Sequence, residues 1–361
     1  MRVLILANND VGLYKFRKEL IKALIDKGCE VYISLPYGEM VEPLTEMGCI
    51  FVDTDIDRRG INPVSDMKIL KAYIGMLNNI QPDLVITYTI KPNIYGGIAC
   101  RLKKVPYYCN ITGLGTAFQK ENWLKKIVTM LYKLALKKVK TVFFENAENE
   151  KIFIENKIID KKRTCLLNGA GVNLAEYTFS EYPDEKTVHF LFIGRVMKEK
   201  GIDELFYAAR RMHDEGIDAE IDIVGPMEDN YKSEVEKLNE SGIINYFGYQ
   251  SDVKPFIEKA HCFVLPSYHE GMANTLLESA AMARPLITSN IHGCMEAVRE
   301  NESGFLCDIG NPEALTECML RFCSLTAEEK ALMGKKSREH IENNFDKNKV
   351  VKRTMEALNI G

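Results

Sequence analysis

Two short segments of the sequence carry charged residues at spacings that suit one kind of chemistry. The first, 194–201, places the cations Arg195 and Lys200 on the turn after an apolar run. The second places two carboxylates, Glu270 and Glu278, eight positions apart across the expected start of a helix. Arginine offers a planar fork for phosphate oxygens, and lysine a mobile point charge. Cations for a diphosphate, with acids for the hydroxyls at its two ends, predict a nucleotide-sugar site.

The backbone around these residues favours the same interpretation. Gly194 ends a strand and lets the chain turn close to a ligand, and Gly201 opens a helix whose N-terminus carries a partial positive charge. Glu270 and Glu278 should lie roughly 10–15 Å apart, from the rise per residue of loop and helix. Asn274 is expected to cap the helix. The amides expected to face the diphosphate belong to Gly271, Met272 and Ala273.

Taken alone, the charged residues of either segment could simply be solvated side chains at the surface. Their combination, in this order, favours the binding site over a set of unrelated surface residues. A polar turn at 289–296 follows a further strand, and its His292 is expected to be a hydrogen-bonding surface residue rather than a catalytic one.

Short apolar strands alternate with amphipathic helices on both sides of an interruption at 169–187. Such alternation predicts parallel sheets covered on both faces by helices. A helix is expected over 15–27, and a helical tail from Thr326. The expected strands are 2–7, 30–35, 50–53, 84–87, 107–111, 141–144 and 163–167 in the first half, and 188–193, 219–224, 244–247, 262–265, 285–289 and 304–307 in the second.

These elements predict an α/β protein made of two Rossmann-like, doubly wound parallel-sheet domains that face each other across a cleft. The expected domains are 1–168 and 188–361, joined by a hinge at 169–187, with packing of the last helix back on the first domain as an option. In such folds a ligand lies at the carboxyl ends of the strands.

Composition narrows the class of protein. The chain has 361 residues, 46% of them hydrophobic and 27% charged, which is ordinary for a globular protein of two domains. Its ten cysteines form no C-x-x-C pair and fit a reducing cytoplasm. No apolar run approaches the ~20 residues of a spanning helix, the N-terminus does not read as a signal peptide, and no nucleic-acid-binding module is recognisable.

Charge is distributed unevenly between the two halves. Residues 1–168 hold 26 basic and 18 acidic side chains, a net charge of +8, and the remainder holds 21 basic and 33 acidic, a net of −12. A basic half suggests a face turned toward anions, although uneven charge also arises by chance in two-domain proteins.

With its G-R-x-x-x-x-K-G turn and E-x7-E motif, the chain resembles the retaining glycosyltransferases of family 4, which have the GT-B fold. The resemblance covers nearly the whole chain, because the order and spacing of both sheets also agree. It implies that Arg195 and Lys200 bind the donor diphosphate and assist its departure. It further implies that Glu270 contacts the transferred sugar and that Glu278 holds the ribose.

The same resemblance implies further donor contacts. Gly225 and Tyr249 are expected around the base, and Gly293 and Glu296 match the Gly-rich turn of the family. It implies neither a bound metal nor another cofactor, since cationic side chains and helix dipoles replace the metal. A D-x-D triplet does occur at 53–55, where we interpret it as the end of a strand.

The first half of the chain is expected to bind the acceptor. The turn 8–12, including Gly12, is expected to offer amides to the donor phosphates, and it lacks the GxGxxG pattern of dinucleotide-cofactor sites. The pieces K-P-N-x-Y-G and N-I-T-G-L-G, at 91–96 and 110–115, resemble those of bacterial enzymes that extend lipid-linked saccharides. The expected acceptor-binding residues are Lys91, Asn93, Asn110 and Thr112.

Two of these residues have alternative readings. Lys91 is either a ligand for an acceptor pyrophosphate or a surface cation, and Asn110 either binds hydroxyls or forms a turn. Many family members carry a His near the first loop, where this chain has Thr and Lys, so a His-assisted step is not expected.

Residues 123–140 form an amphipathic, lysine-rich helix with no acids and the only tryptophan. Such a helix either lies on an anionic bilayer or packs on the protein with one face exposed to solvent, and the sequence leaves both open.

The expected activity is transfer of a hexosyl or N-acetylhexosaminyl group from a nucleoside diphosphate, most readily UDP, to a lipid-linked saccharide. The expected place is the cytoplasm, with peripheral contact at the inner face of the membrane. Alternatives are a sugar-nucleotide epimerase or hydrolase, or an inactive homologue that acts as a partner subunit.

Overall fold

Apolar strands alternate with helices through both halves of the chain, in a computed structural model that describes residues 1–56, 63–114, 118 and 123–360. The chain divides into two units. Unit 1 is Met1–Ala170 with Lys347–Gly361, and unit 2 is Gly171–Asp346. The expectation of two parallel-sheet α/β domains is confirmed.

Unit 1 is built on a parallel sheet of seven strands in the order β3-β2-β1-β4-β5-β6-β7. Its strands are β1 Arg2–Leu6, β2 Glu30–Leu35, β3 Ile50–Asp53, β4 Leu84–Tyr88, β5 Tyr107–Ile111, β6 Thr141–Phe144 and β7 Thr164–Leu166. Its helices are α1 Asp10–Asp26, α2 Val41–Glu46, α3 Pro63–Ile80, α4 Gly97–Lys103, α5 Trp123–Ala135, α6 Ala147–Glu155 and, at the end of the chain, α13 Lys347–Leu358.

Both faces of this sheet are buried, which is why its strands read as continuous apolar runs. Along β1, Leu4 and Leu6 belong to one apolar cluster, which includes residues of α3, α4 and α5. Val3 and Ile5 point to the opposite face and belong to a second cluster, which includes residues of α1, α2 and α13. The last helix of the chain is therefore part of the core of unit 1.

Unit 2 has a parallel sheet of six strands in the order β10-β9-β8-β11-β12-β13. The strands are β8 Val188–Ile193, β9 Ala219–Val224, β10 Asn245–Gly248, β11 Cys262–Leu265, β12 Leu286–Ser289 and β13 Gly304–Cys307. The helices are α7 Ile202–Asp214, α8 Lys232–Glu240, α9 Lys254–Lys259, α10 Asn274–Ala281, α11 Pro312–Ser324 and α12 Ala327–Asn344. Strand order reverses between β8 and β11, which makes the gap beyond their carboxyl ends the topological switch point of this sheet.

One predicted helix start and one predicted helix cap were wrong. The first helix begins at Asp10 rather than at residue 15, because the Asn9 side chain caps it by accepting a hydrogen bond from the Gly12 amide. Helix α10 is not capped by Asn274, which is its first helical residue; Ala273 occupies the cap position and makes no side-chain cap bond.

The segment expected as a hinge, 169–187, lies mostly in unit 2. The Val172 amide donates to the Phe345 carbonyl at 2.8 Å, and the Tyr182 hydroxyl donates to the His261 carbonyl at 2.9 Å. The fully buried Arg284 guanidinium donates to the Glu181 carbonyl at 2.8 Å. The segment is thus tied to the rest of unit 2 by hydrogen bonds at Val172, Glu181 and Tyr182.

Among the described helices, none combines the length and the apolarity that a membrane-crossing segment needs.

Helix α12 approaches the end of α10 through Gly334. A Cβ built on Gly334 would lie 2.3 Å from the Ala283 carbonyl oxygen, whereas one on Gly75, in α3, would meet nothing within 4 Å. We predict that Gly334→Ala destabilises the protein by about 1–3 kcal/mol through overpacking. Gly75→Ala should instead stabilise it by about 0.4–1 kcal/mol, by restricting the unfolded chain.

Thermal unfolding of the two variants measures this, at about 2–4 °C per kcal/mol for units of this size. A Gly334→Ala protein as stable as Gly75→Ala would contradict the described contact between α12 and residue 283.

Candidate functional site

The predicted donor residues of unit 2 follow the carboxyl ends of neighbouring strands. Gly194 and Arg195 come directly after β8, and Glu270 lies on the loop after β11. Strands β8 and β11 pair with each other and flank the switch point of the sheet. The fold therefore brings together two segments that are about seventy positions apart in the sequence.

The backbones of these two segments touch. Gly201 starts α7 with φ of +70°, and a Cβ on it would lie 2.0 Å from the Pro266 carbonyl oxygen. Next to this contact the Tyr268 amide donates to the Glu199 carbonyl at 2.9 Å. Only glycine fits at 201, both for its positive φ and for the approach of Pro266.

An ion pair joins the same two segments. The Lys200 ammonium donates to Glu270 Oε1, and the two side chains are 24% and 12% exposed. The Ser267 hydroxyl lies 2.8 Å from the same carboxylate oxygen and 3.1 Å from the Glu199 carbonyl oxygen. One carboxylate oxygen thus has both a cation and a hydroxyl beside it, so Lys200 and Glu270 are held at a fixed place.

Arg195 differs from Lys200 in its surroundings. Its side chain is exposed, whereas that of Lys200 is half-buried. The structure therefore presents one mobile guanidinium and one anchored ammonium on the turn after β8.

The amides before α10 are only partly as expected. The Ala273 amide donates to the Gly293 carbonyl at 2.9 Å, so it serves the fold rather than an anion. Met272 is buried, with 5% of its surface exposed. Asn274 Oδ1 is buried and accepts no hydrogen bond within the described residues. Gly271 precedes them on the same loop.

Glu278 lies on the second turn of α10 beside Tyr177. The Tyr177 hydroxyl is hydrogen-bonded to the Glu278 carboxylate, and burial followed by this negative charge raises the pKa of Tyr177. The Tyr177 carbonyl accepts from Arg338 at 2.7 Å, and the same guanidinium nitrogen donates to the Ala281 carbonyl. Tyr177 is thus attached to α10 at two points and orients Glu278.

The polar turn after β12 packs against the loop that carries Glu270. Gly293 has φ of +90°, and a Cβ on it would lie 2.6 Å from the Glu270 carbonyl oxygen. The Glu296 carboxylate accepts from the Gly293 amide and contacts His292 Nδ1, both at 2.7 Å. His292 is half exposed. His292 therefore stabilises its own turn through Glu296, as expected for a hydrogen-bonding surface residue.

The residues expected near a base follow β9 and β10. The Gly225 amide donates to the Gly248 carbonyl at 2.7 Å, and the Gly225 carbonyl accepts from the Tyr246 hydroxyl at 2.8 Å. The Tyr249 ring is 65% exposed. Gly225 is thus fixed between the strands, whereas Tyr249 stands free at the surface.

The expected phosphate-binding turn of unit 1 serves the fold instead. Gly12 lies inside the first turn of α1, and its amide donates to the Asn9 side chain at 2.5 Å. The amide of Gly12 is consequently not available to a phosphate in this structure, which corrects its assignment.

Asn93 and Asn110 form a buried network with Thr87. The Thr87 hydroxyl donates to Asn93 Oδ1 at 2.5 Å, and Asn93 Nδ2 donates to the Asn110 carbonyl at 2.8 Å. Asn110 Nδ2 donates back to the Thr87 carbonyl at 3.3 Å. Asn93 is 1% and Asn110 4% exposed. Both amide side chains join β4, β5 and the short helix Pro92–Gly96, so their assignment as acceptor ligands is corrected to a structural role.

Lys91 is neither a free surface cation nor unpaired. Its ammonium lies 3.0 Å from Asp66 Oδ1, and the two side chains are only 13% and 7% exposed. Burial and a hydrogen bond to Asp66 raise the pKa of Tyr95. Thr112 follows β5 and is half-buried. The N-I-T-G-L-G motif at 110–115 ends at Gly115, and residues 115–117 lie outside the described residues.

Sequence reasoning missed Ser267, Tyr177 and Asp66. Ser267 directly precedes the Glu270 loop, so its position was a usable signal. Tyr177 falls in the stretch read as a hinge, and Asp66 is more than twenty positions from Lys91. Neither of the latter has a local signal, because the contact exists only in the folded chain.

Two family models match the sequence. The model "Glycosyl transferase 4-like" matches residues 2–146, and the model "Glycosyl transferases group 1" matches residues 175–340. Together they span most of the chain.

Among curated proteins, one relative is the N,N'-diacetylbacillosaminyl-diphospho-undecaprenol alpha-1,3-N-acetylgalactosaminyltransferase of Campylobacter jejuni. It is 28% identical over 88% of this chain and 88% of its own length. Another is the UDP-Gal:alpha-D-GlcNAc-diphosphoundecaprenol alpha-1,3-galactosyltransferase of Escherichia coli, 28% identical over 82% of this chain and 79% of its own. Among solved structures, Anabaena HepE in complex with UDP and glucose has a TM-score of 0.81 at 14% identity, covering 99% of each chain. At that identity, the last match shows the fold alone.

The two ends of α7 provide a matched test of the contact at Gly201. Gly216, just after α7, also has a positive φ of +67°, but a Cβ there would meet nothing within 4 Å. Alanine at either position costs about 1–2 kcal/mol for the left-handed backbone. We predict that Gly201→Ala lowers the melting temperature more than Gly216→Ala, because it alone also pushes Pro266 away. Equal melting temperatures would show that the two loops do not touch.

Proposed function

Because the chain belongs to the group 1 glycosyltransferases, with an amino-terminal half of the 4-like type, we propose that it transfers a sugar from a UDP-sugar to a lipid-linked saccharide. The transfer retains the anomeric configuration. The bond between the anomeric carbon and the diphosphate oxygen breaks, and a bond to an acceptor hydroxyl oxygen forms. The proton of the acceptor hydroxyl passes to the departing diphosphate oxygen, and UDP leaves with the remaining negative charge of the diphosphate.

The observation that carries this proposal is the pairing of Lys200 with Glu270 at the switch point of unit 2. A cation held there by Glu270, whose carboxylate is itself held by Ser267, is in place before the reaction and needs little reorganisation to stabilise a departing diphosphate. Arg195 adds a guanidinium that is free to turn toward the phosphates.

The two carboxylates, Glu270 and Glu278, are proposed to bind the two ends of the donor. We propose that Glu270 contacts hydroxyls of the transferred sugar while its Oε1 stays near Lys200. Glu278, oriented by Tyr177, holds the ribose. Gly225 and Tyr249 border the base, where an exposed ring is available for stacking.

Unit 1 is proposed to bind the acceptor. Lys91 and Thr112 are our candidates for contacts with it, since Asn93 and Asn110 are used by the fold. The acceptor class follows from the relatives, which act on saccharides linked to undecaprenyl diphosphate. The transferred group is a hexose or an N-acetylhexosamine, as in those two enzymes.

Such an acceptor lies in a membrane, and α5 is suited to contact one. The buried face of α5 is formed by Val128, Tyr132 and Ala135. The opposite side exposes Trp123 by 69%, Met130 by 63% and Leu134 by 42%. These apolar side chains stand among the exposed lysines, Lys126, Lys133, Lys137, Lys138 and Lys140.

A groove beside this stripe is lined by Lys125, Lys126, Thr129, Met130, Lys133 and Asn156. Exposed apolar side chains with interspersed cations are what an interfacial helix presents to an anionic bilayer. We propose that α5 rests on the membrane surface and keeps unit 1 near the lipid-linked acceptor.

The proposed activity is tested by incubating the purified protein with a panel of UDP- and GDP-sugars, with and without undecaprenyl diphosphate saccharides. Mass spectrometry should show an acceptor heavier by one sugar with one donor. Release of free sugar or isomerised donor without acceptor would favour a hydrolase or an epimerase. Absence of calorimetric UDP binding would favour an inactive homologue.

Lys200 is the side chain on which turnover should depend most. Loss of one preorganised group that stabilises developing charge typically costs about 2.7–4 kcal/mol of barrier, and we expect Lys200→Ala to lower kcat at least tenfold without unfolding the protein. Lys198→Ala is the matched control, because Lys198 is exposed on the same short turn. Turnover of Lys200→Ala equal to that of the control would remove Lys200 from the mechanism.

The membrane proposal has its own test in vesicle flotation. Trp123→Ser with Met130→Ser should reduce binding to phosphatidylglycerol vesicles, and added salt should weaken binding by the intact protein. Leu332→Ser with Tyr207→Ser removes exposed apolar side chains from unit 2 and should leave binding unchanged. Binding that is insensitive to both pairs would exclude α5 as the contact.

A further inference from the structure

A group of metal-ligating side chains lies in unit 2 on strands β8 and β9, apart from the donor residues that follow the carboxyl ends of β8 and β11. His189 is the second residue of β8, and Glu220 and Asp222 are the second and fourth of β9. We propose that these three residues, called here the His189 cluster, form a structural zinc site. This proposal is independent of the proposed function.

Strand pairing fixes the three side chains on one face of the sheet. His189 stands opposite Glu220 in the parallel register of β8 and β9. Asp222 follows two positions later and therefore points to the same face. The ligands are thus supplied by paired strands of the sheet rather than by a loop.

The distances fit a shared metal ion. His189 Nδ1 lies 3.2 Å from Asp222 Oδ2 and 3.7 Å from Glu220 Oε2. One ligand atom from each of the three residues lies within 4.8 Å of the others. Zinc bonds nitrogen and oxygen at about 2.0–2.2 Å in a tetrahedron, which places neighbouring ligand atoms about 3.3–3.6 Å apart. Small shifts of Glu220 would complete three corners, and water would supply the fourth.

Side chains next to the three ligands would orient them as hydrogen-bond partners of the ligands do around zinc. The other ring nitrogen of His189, Nε2, lies 3.4 Å from Glu185 Oε2. A histidine that ligates a metal usually donates its second N–H to such a carboxylate, which leaves Nδ1 as the electron-pair donor. Asn245 Nδ2 donates to Glu220 and to Asp222, both at 2.9 Å. These partners hold the two carboxylates beside the ring.

Charge at the cluster also favours a cation. Three carboxylates surround one imidazole, and within the described ranges the ion pairs of Glu220 and Asp222 are with His189 alone. A divalent ion would neutralise this excess of negative charge. Glu220 is half exposed, with 49% of its side chain open to solvent, so an ion can reach the site.

The place of the cluster assigns it a structural role. Residues of the donor site follow the carboxyl ends of β8 and β11, whereas the cluster lies within the strands, at the second residue of β8 and the second and fourth residues of β9. Zinc there would join two strands and stabilise unit 2 by binding only the folded chain.

The test is calorimetric titration of the metal-free, full-length protein with Zn²⁺, together with thermal unfolding. We expect one zinc per chain and a rise in melting temperature. His189→Gln and Asp222→Asn should each weaken binding at least tenfold. Asn245→Ala should weaken it by about 10–100-fold, as is typical when a hydrogen-bond partner of a metal ligand is lost. His213→Gln, a histidine that is exposed at the end of α7, should bind zinc like the intact protein.

Co²⁺ spectra separate this site from the ten free thiols. A complex at the His189 cluster should show tetrahedral visible bands without thiolate charge-transfer absorption, and UDP binding should be unchanged by the metal. Absence of binding, equal binding by Asp222→Asn and the intact protein, or a thiolate signal would each overturn the proposal. The cluster would then be an ion pair of protonated His189 only.

Discussion

The contact between the loop after β8 and the loop after β11 is the constraint on which the donor site depends. Gly201 lies so close to the Pro266 carbonyl that no side chain fits between them. Because parallel strands end at the same edge of a sheet, the pairing of β8 with β11 brings these distant segments together. Ser267 and Tyr268 then bond the Glu199 carbonyl, which fixes Lys200 relative to Glu270.

This closeness determines the electrostatics of the site. Lys200 and Glu270 neutralise each other across the contact and share Ser267 as a neighbour. Arg195 remains exposed. An incoming diphosphate would therefore meet a mobile cation at once, and an anchored cation whose charge is already partly compensated. A paired cation costs less to hold half-buried than an isolated one, and the pair keeps the site ordered.

In unit 1, polar and charged side chains near strand ends form contacts within the fold. Asn93, after β4, and Asn110, near the end of β5, were read as ligands because they lie at strand ends, yet they hydrogen-bond with each other and with Thr87 in the interior. A buried amide must find partners, and here the partners lie in the neighbouring strand and turn. Lys91 also pairs with a residue of the fold, Asp66 on α3, although it is still proposed to contact the acceptor. Type and position along a strand therefore do not separate a binding residue from a structural one.

The sequence by itself determined the α/β class, the two sheets and the residues of the donor motifs, and the family models and the fold confirm the class of protein. Short apolar runs and the glycines that follow them are local signals, so they can be read without the fold. The cap of α1 by Asn9 shows the limit, because the same Asn and Gly were equally compatible with an open loop. Only the tertiary structure decided which side chains contact each other. Tyr177 beside Glu278, Asp66 beside Lys91 and the three ligating side chains around His189 arise from packing between distant segments, for which a single sequence carries no local pattern.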